Sequence, residues 1–256
     1  MRFSVLFSFS LLSLSLLSHL FQFSWFDFIP QQELIGNTLI SLSFLGSTQG
    51  IFIPLIFLSI HYASTAKECW RVFYCAFPLL TIALLLGWGL QFIAEQPRPN
   101  VVNLVNAGLL SAEYYQQPMA EKHALMSNAL AQAHGVPEYV KSEWVMETSY
   151  AMPSAHAIAS MTIALYFATL FFSRQQTLTG FIILGWAAVA MFSRLLMGLQ
   201  RPEDILVGAL IGTFAAQLAL LNRRRKLNQD RAIAELRAKK LAEQDQASNE
   251  SKAANI

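Results

Sequence analysis

The stretch AMPSAHAIASMTIALYFATLFFS, residues 151–173, runs from Ala155 to Ser173 without an Asp, Glu, Lys or Arg. A helix rises about 1.5 Å per residue, so the run covers most of the roughly 30 Å of a bilayer's hydrocarbon. It reads as a membrane-spanning helix that starts just after Pro153, with Ser154 and His156 in its first turn.

Outward from this stretch, apolar runs of similar length recur at approximately 3–22, 43–63, 72–93, 178–198 and 204–221, giving six in all. Of the 256 residues, 54% are hydrophobic and 13% charged, about half the charged share of an ordinary water-soluble domain. The expected fold is all-α: a polytopic membrane protein of six transmembrane helices, with a helical segment at 94–153 between the third and fourth spans. The first run resembles a signal peptide because Arg2 precedes it. However, it continues to Trp25 and Phe28 without a small-x-small cleavage site, so an uncleaved span is expected, with Trp25 and Phe26 at the interface.

Charge divides the chain into domains 1–221 and 222–256. Nine of the 18 Lys and Arg and five of the 16 Asp and Glu follow Leu221, so the basic character lies in the tail. If six spans alternate, Arg2, Lys67, Arg71, Arg174 and the run Arg223 to Lys226 share one side. By the positive-inside rule both termini are cytoplasmic and 94–153 is extracytoplasmic. The tail is expected to start as a charged helix and to end, in its Asn/Ser/Ala stretch, as disordered chain. Its RRRK run reads as a solvated stop-transfer flank, or alternatively as a lipid headgroup contact. Cys69 and Cys75 are too close in sequence for a disulfide framework and are expected as free thiols.

Four polar sets fall at the same ends of the spans. Arg98 lies between Pro97 and Pro99 where the third run stops. Ser154 and His156 open the fourth, Ser193 and Arg194 close the fifth, and Pro202, Glu203 and Asp204 open the sixth. An arginine at a span centre costs about 2.5 to 3.5 kcal/mol, and snorkelling toward the end lowers that for Arg194 taken alone. The chemistry of the sets nevertheless agrees. Two planar guanidinium forks suit phosphate oxygens, a helix N-terminus at Ser154 to His156 suits an anion, and His156 can pass a proton to a departing oxygen. Together they describe a phosphate pocket at the outer interface.

Arg98-Pro99, Pro153-Ser154-Ala155-His156, and Ser193-Arg194 with Asp204 ten residues after Arg194 resemble the three signature motifs of the type 2 phosphatidic acid phosphatase superfamily. That family's pattern is Lys-x6-Arg-Pro, Pro-Ser-Gly-His and Ser-Arg-x5-His-x3-Asp. The stretches GVPEYVKSEWVMETSYAMPSAH and FSRLLMGL also resemble its bacterial members that act on phosphatidylglycerophosphate, phosphatidic acid or undecaprenyl diphosphate. The resemblance covers about residues 70–221 and implies metal-independent hydrolysis of a lipid phosphate or diphosphate, without a cofactor, in the bacterial inner membrane. It implies that Arg98, Arg194 and Ser154 bind phosphate, that His156 protonates the leaving group, and that Asp204 orients the nucleophile. The implied partners are the lipid phosphate and the bilayer. Nucleic-acid stripes and Gly-rich phosphate loops are absent.

Three positions depart from the pattern. Gln91 stands where the motif lysine belongs, Ala155 replaces the motif glycine, and Gln200 stands five residues after Arg194, where the attacking histidine belongs. A primary amide donates and accepts hydrogen bonds, but its nitrogen lone pair is delocalised, so it makes no productive phosphoenzyme. His19, His61, His123 and His134 lie in other segments. Removing a nucleophile from a coupled triad has cost about 10⁶ in kcat elsewhere. Three readings stand: a pocket that binds without turnover, hydrolysis rerouted through water with Asp204 as base, or a membrane scaffold. In the first, Asp204 fixes the Gln200 amide and Arg201 offsets part of the charge lost at Gln91. The segment from 100 to 150, with Tyr114, Tyr115, His123, His134, Trp144 and several carboxylates, has no tight metal spacing. It reads as amphipathic helices over the pocket, where they could guide a headgroup. Met152, Met191 and Met197 read as packing residues.

Overall fold

In the computed structural model, the described residues are 25–253 together with Ser13, Leu17, Ser18 and Leu20, with side chains through Leu241. The expected first span, 3–22, falls outside the continuously described chain. After a 3-10 turn at Trp25–Phe28 come nine helices: α1 (Glu33–Phe44), α2 (Phe52–Tyr62), α3 (Ala66–Ala94), α4 (Pro99–Asn106), α5 (Met119–Gln132), α6 (Glu138–Met146), α7 (Ala155–Ser173), α8 (Thr177–Leu196) and α9 (Pro202–Ala253). No strand occurs among the described residues.

Four helices, α3, α7, α8 and α9, are long and apolar enough to cross a membrane. They correspond to the expected spans at 72–93, 155–173, 178–198 and 204–221. The expected span 43–63 is not one helix: α1 and α2 are separated by turns across 45–51. The cause is local. Gly50 packs so tightly against Phe44 that a Cβ would lie 2.0 Å from its carbonyl oxygen, and Ser47 Oγ accepts the Gly50 N–H at 2.9 Å. That side-chain bond competes with the helical one. The last helix continues through the charged tail to Ala253.

The bundle is built around α7. Some 78% of its apolar window is buried, against 33% for α3, and it packs on α3, α8 and α9. Small residues allow this. At Gly208 and Gly212 of α9, an added Cβ would lie 2.5 Å from Ser154 O and 2.6 Å from Ile158 O, so α7 and α9 touch almost backbone to backbone, the usual small-residue route to helix association in lipid. Thr162 Oγ1 spans the seam, donating to Ile158 O at 2.7 Å and reaching Gly212 O at 3.3 Å. Tyr166 Oη donates to Val72 O at 3.0 Å and ties α7 to α3.

The bundle has two polar ends. At one, Arg174 stacks on the Tyr62 ring and pairs with Glu68 at 2.7 Å, while Arg223 donates to Tyr62 Oη at 3.1 Å. This fastens the ends of α2, α3 and α7 to the middle of α9, and it turns Arg223 of the RRRK run inward, onto protein. At the other end lie the last turns of α3 and α8, the first turns of α7 and α9, and the helices α4 to α6 between α3 and α7.

The close α7–α9 seam predicts that Gly208→Ala lowers thermal stability in detergent by the roughly 1–3 kcal/mol of core overpacking. Gly185→Ala, at a position with nothing within 4 Å, should leave the melting temperature unchanged or raise it. Equal behaviour of the two variants would contradict the packing described.

Candidate functional site

The second polar end brings the three motifs together. Glu95 closes α3 with a left-handed φ of 45°, and the chain turns through Pro97 so that Arg98 takes the N-cap position of α4. Arg194 projects from the last turn of α8. Beyond it, Gly198 adopts φ +64°, and a Cβ there would press on Phe26 at 3.2 Å, so glycine is required on both counts. In this tight turn the N–H groups of Leu199 and Gln200 both donate to Arg194 O, at 3.1 and 3.2 Å. Gly198 O accepts from Asn100 N–H at 2.9 Å, and Asp204 O from Ser154 N–H at 3.0 Å, which fixes the α8–α9 turn to α4 and to the start of α7. Ser154 caps α7, its hydroxyl accepting the Ala157 N–H.

Arg98 and Arg194 are 2% and 0% exposed, and buried guanidinium groups require anions. These come from α6. Arg98 Nη2 donates to Glu147 Oε2 at 2.8 Å, and Arg194 Nη2 donates to the other oxygen of the same carboxylate, Oε1. Arg194 Nη1 pairs with Glu143 Oε2 at 3.0 Å. Arg98 is held further by Ser149 O at 2.8 Å, Ser149 Oγ at 2.9 Å and Leu199 O at 3.1 Å. One carboxylate thus spans both forks, so the two arginines converge on a volume the size of a single small oxyanion.

Beside this bridge lies a cavity of about 730 Å³, reached by Gln91, Arg98, Glu143, Glu147, Ala155, His156 and Gln200. It continues between α2 and α3 along Phe44, Phe52, Leu84, Leu85 and Trp88. Arg194, Ser154 and Asp204 do not line it. Arg194 lies behind the two glutamates.

Gln200 is held firmly, but not as expected. In the amide orientation that satisfies its neighbours, its nitrogen donates to Ala151 O at 2.9 Å and its oxygen accepts from Arg98 Nη1 at 2.7 Å. Asp204 does not fix this amide: its Oδ2 accepts the Arg201 N–H at 2.7 Å, and its Oδ1 is buried without a partner. Nor does Arg201 replace the charge missing at Gln91, because its guanidinium donates to Pro97 O at 2.9 Å and stays outside the cavity. Gln91 does face the cavity, donating to Pro153 O at 2.9 Å.

The residues that sequence reasoning missed are Glu143 and Glu147. The available signal was their i, i+4 spacing just ahead of the Pro153 motif, one carboxylate for each arginine that needed an anion. Among the described residues no group of three His, Cys, Asp or Glu could hold a metal ion.

Burial alone would push the Glu147 carboxyl up, but Arg98 and Arg194, with a smaller contribution from His156, hold it down at about 2. A carboxyl lowered on folding stabilises the folded state above its unfolded value, near 4.5, and that contribution fades as pH falls toward the folded value. The melting-temperature gap between the wild type and Glu147→Gln should therefore stay constant from pH 7 to about 5.5 and shrink below about 4.5. A gap that widened on acidification would contradict the ion-pair geometry.

The chain is similar to known proteins. The family model described as PAP2 superfamily matches residues 69–227. The chain is 35% identical over 143 residues to phosphatidylglycerophosphatase B of Escherichia coli K12, covering 54% of this chain and 56% of that protein. It is 28% identical over 168 residues to lipid A 4'-phosphatase of Bacteroides thetaiotaomicron, covering 66% of this chain and 62% of that one. The matches thus span little more than half the length of these relatives. The crystal structure of a PAP2-type phosphatidylglycerolphosphate phosphatase from Bacillus subtilis overlays 89% of this chain and 98% of its own with a TM-score of 0.51 at 15% identity, a likeness of fold. Residues 69–227 hold α7, α8 and most of α3, together with Arg98, Ser154, His156, Arg194 and Asp204, and the chain belongs to the PAP2 superfamily.

Proposed function

We propose that this protein binds the terminal phosphate of a lipid phosphate or diphosphate between Arg98 and Arg194, at the extracytoplasmic face of a bacterial inner membrane, without turning it over by phosphohistidine chemistry. The observation that carries this reading is the single carboxylate spanning both guanidinium groups, because a phosphate presents oxygens at similar spacing to the same forks. The cavity beside it suits a lipid: its Arg98 and His156 end would take the headgroup, and the wall of Phe52, Leu85 and Trp88 an acyl or prenyl chain. Phosphatidylglycerophosphate, phosphatidic acid and undecaprenyl diphosphate are the class of ligand intended.

The lack of turnover rests on chemistry. At the nucleophile position an amide already engaged with Arg98 and Ala151 has its nitrogen lone pair delocalised into the carbonyl and offers phosphorus no effective nucleophile. His156 lines the cavity, yet the acid role the family pattern implies for it follows an attack for which no histidine is placed. The six-span layout, with its second crossing made jointly by α1 and α2 rather than by one helix over 43–63 and with both termini cytoplasmic, belongs to the same proposal. The Tyr62, Glu68, Arg174 and Arg223 cluster at the end opposite the arginines supports it, since it puts the basic loops together.

A second reading is favoured by one observation. Asp204 Oδ1 is buried without a hydrogen-bond partner, so its lone pair is open to a water admitted from the neighbouring cavity, which Asp204 itself does not line. In that case hydrolysis persists at a low rate and depends on Asp204.

Protein purified in detergent and given dioctanoyl phosphatidic acid should release no inorganic phosphate while binding the lipid saturably. Arg98→Ala or Arg194→Ala should weaken that binding about tenfold or more, since a charge-assisted hydrogen bond is worth about 1.5–3 kcal/mol. Phosphate release abolished by Asp204→Ala would establish the second reading instead. Neither release nor binding would leave the scaffold reading. The combination Gln200→His, Gln91→Lys and Ala155→Gly should restore an acid-labile phosphohistidine and measurable hydrolysis. Failure of the folded triple variant to do either would contradict the geometry assigned to the nucleophile position.

A further inference from the structure

We infer that Glu147, seconded by Glu143, is a built-in occupant of the anion site: an autoinhibitory plug that a lipid phosphate must displace before its oxygens reach Arg194. This inference rests on reading the arginine pair as a phosphate cradle. Both glutamates face the cavity while Arg194 does not, so a ligand entering the cavity meets Arg98 directly and Arg194 only after the carboxylates have moved. The two Glu147 oxygens occupy one fork each, the arrangement a phosphoryl group would adopt.

The displacement the plug requires is local, because the chain on either side of Glu147 is anchored. Its helix is anchored upstream by Trp144 Nε1, which donates to Met197 O at 2.7 Å, and by Tyr139 Oη, which donates to Pro30 O at 2.6 Å. Downstream, Ala151 N–H donates to Gln96 O at 2.8 Å. Between these anchors α6 has ended at Met146 and Glu147 takes non-helical angles; Glu147 is held by Arg98 and Arg194 and Ser149 by Arg98, while Thr148 Oγ1 donates to Met119 Sδ at 3.0 Å and the Tyr150 ring stacks on Tyr115. A carboxylate can leave these arginines only in exchange for another anion, because two buried guanidinium groups without counter-charge are strongly disfavoured. The exchange also discriminates. A terminal phosphate carries about −1.5 to −2 at neutral pH and can outcompete a single carboxylate, whereas a phosphodiester with one charge gains nothing over Glu147.

The test measures binding of dioctanoyl phosphatidic acid, and of dioctanoyl phosphatidylglycerol as the diester, to detergent-purified wild type, Glu147→Gln and Arg194→Ala. If the plug is in place more than nine-tenths of the time, apparent affinity is reduced at least about tenfold. Glu147→Gln should therefore bind phosphatidic acid at least about tenfold more tightly than the wild type. Hydrogen–deuterium exchange of the wild type should rise across 146–150 on saturation with phosphatidic acid and stay unchanged with phosphatidylglycerol.

Equal or weaker binding by folded Glu147→Gln overturns the plug, as does exchange at 146–150 that stays level or falls in saturated wild type. If Glu147→Gln does not fold, the exchange measurement on the wild type decides alone. Binding by the wild type that Arg194→Ala weakens and Glu147→Gln does not improve leaves the cradle standing and removes the plug. Absence of binding to both the wild type and Glu147→Gln removes the cradle and the plug together.

Discussion

Two guanidinium groups buried at the tip of an apolar helix bundle cannot remain there without anions, and much of the architecture at that end follows from this constraint. Arg98 and Arg194 come from elements about a hundred residues apart, and both are satisfied by Glu147. The bridge pulls α6 over the tips of α7 and α8 and sets the position of the chain from Thr148 to Ala151. That stretch in turn accepts bonds from Arg98 and Gln200. The insert between α3 and α7 is therefore bound into the site rather than merely lying above it. The apolar packing below supports this arrangement, because Gly208 holds the start of α9 against Ser154 O and so fixes the depth at which the α7 N-terminus meets the α8–α9 turn.

Much of this was legible in the sequence where the physics is local. Run length gave α7 and α8 nearly to the residue, since a charge-free stretch that must cross hydrocarbon has few other solutions. The motif residues Arg98, Ser154, His156, Arg194 and Asp204 could be assigned to one end of the bundle because alternation of spans leaves no choice of side. The separation of α1 from α2 was not legible. It depends on Gly50 meeting Phe44 and on Ser47 capturing a backbone N–H, tertiary details that hydropathy averages away. The partners of Arg98 and Arg194 were also hidden, because Glu143 and Glu147 look like ordinary surface acids until the fold brings them onto arginines roughly fifty residues away on either side. Gln200 combines the two cases: its identity was informative at once, but its bonds to Ala151 and Arg98 could only come from coordinates.

Chemically, the site balances two guanidinium groups with two carboxylates beside a histidine and two amides, so the charge that would attract a phosphate is already neutralised from within. The missing lysine at Gln91 and the missing nucleophile at Gln200 point the same way. Both substitutions keep hydrogen-bonding capacity and remove charge or reactivity, and both amides have well-placed partners. On the proposed function, this arrangement serves recognition of an anionic headgroup rather than its cleavage.

The central claim is that Arg98 and Arg194 form one anion seat. The most direct measurement is an experimental structure of the protein with tungstate, a phosphate-sized oxyanion whose scattering identifies it without ambiguity. The account predicts a single tungstate within hydrogen-bond distance of both guanidinium groups, with the Glu147 carboxylate withdrawn. Tungstate bound elsewhere at saturating concentration, with Glu147 still bridging the two arginines, would contradict it.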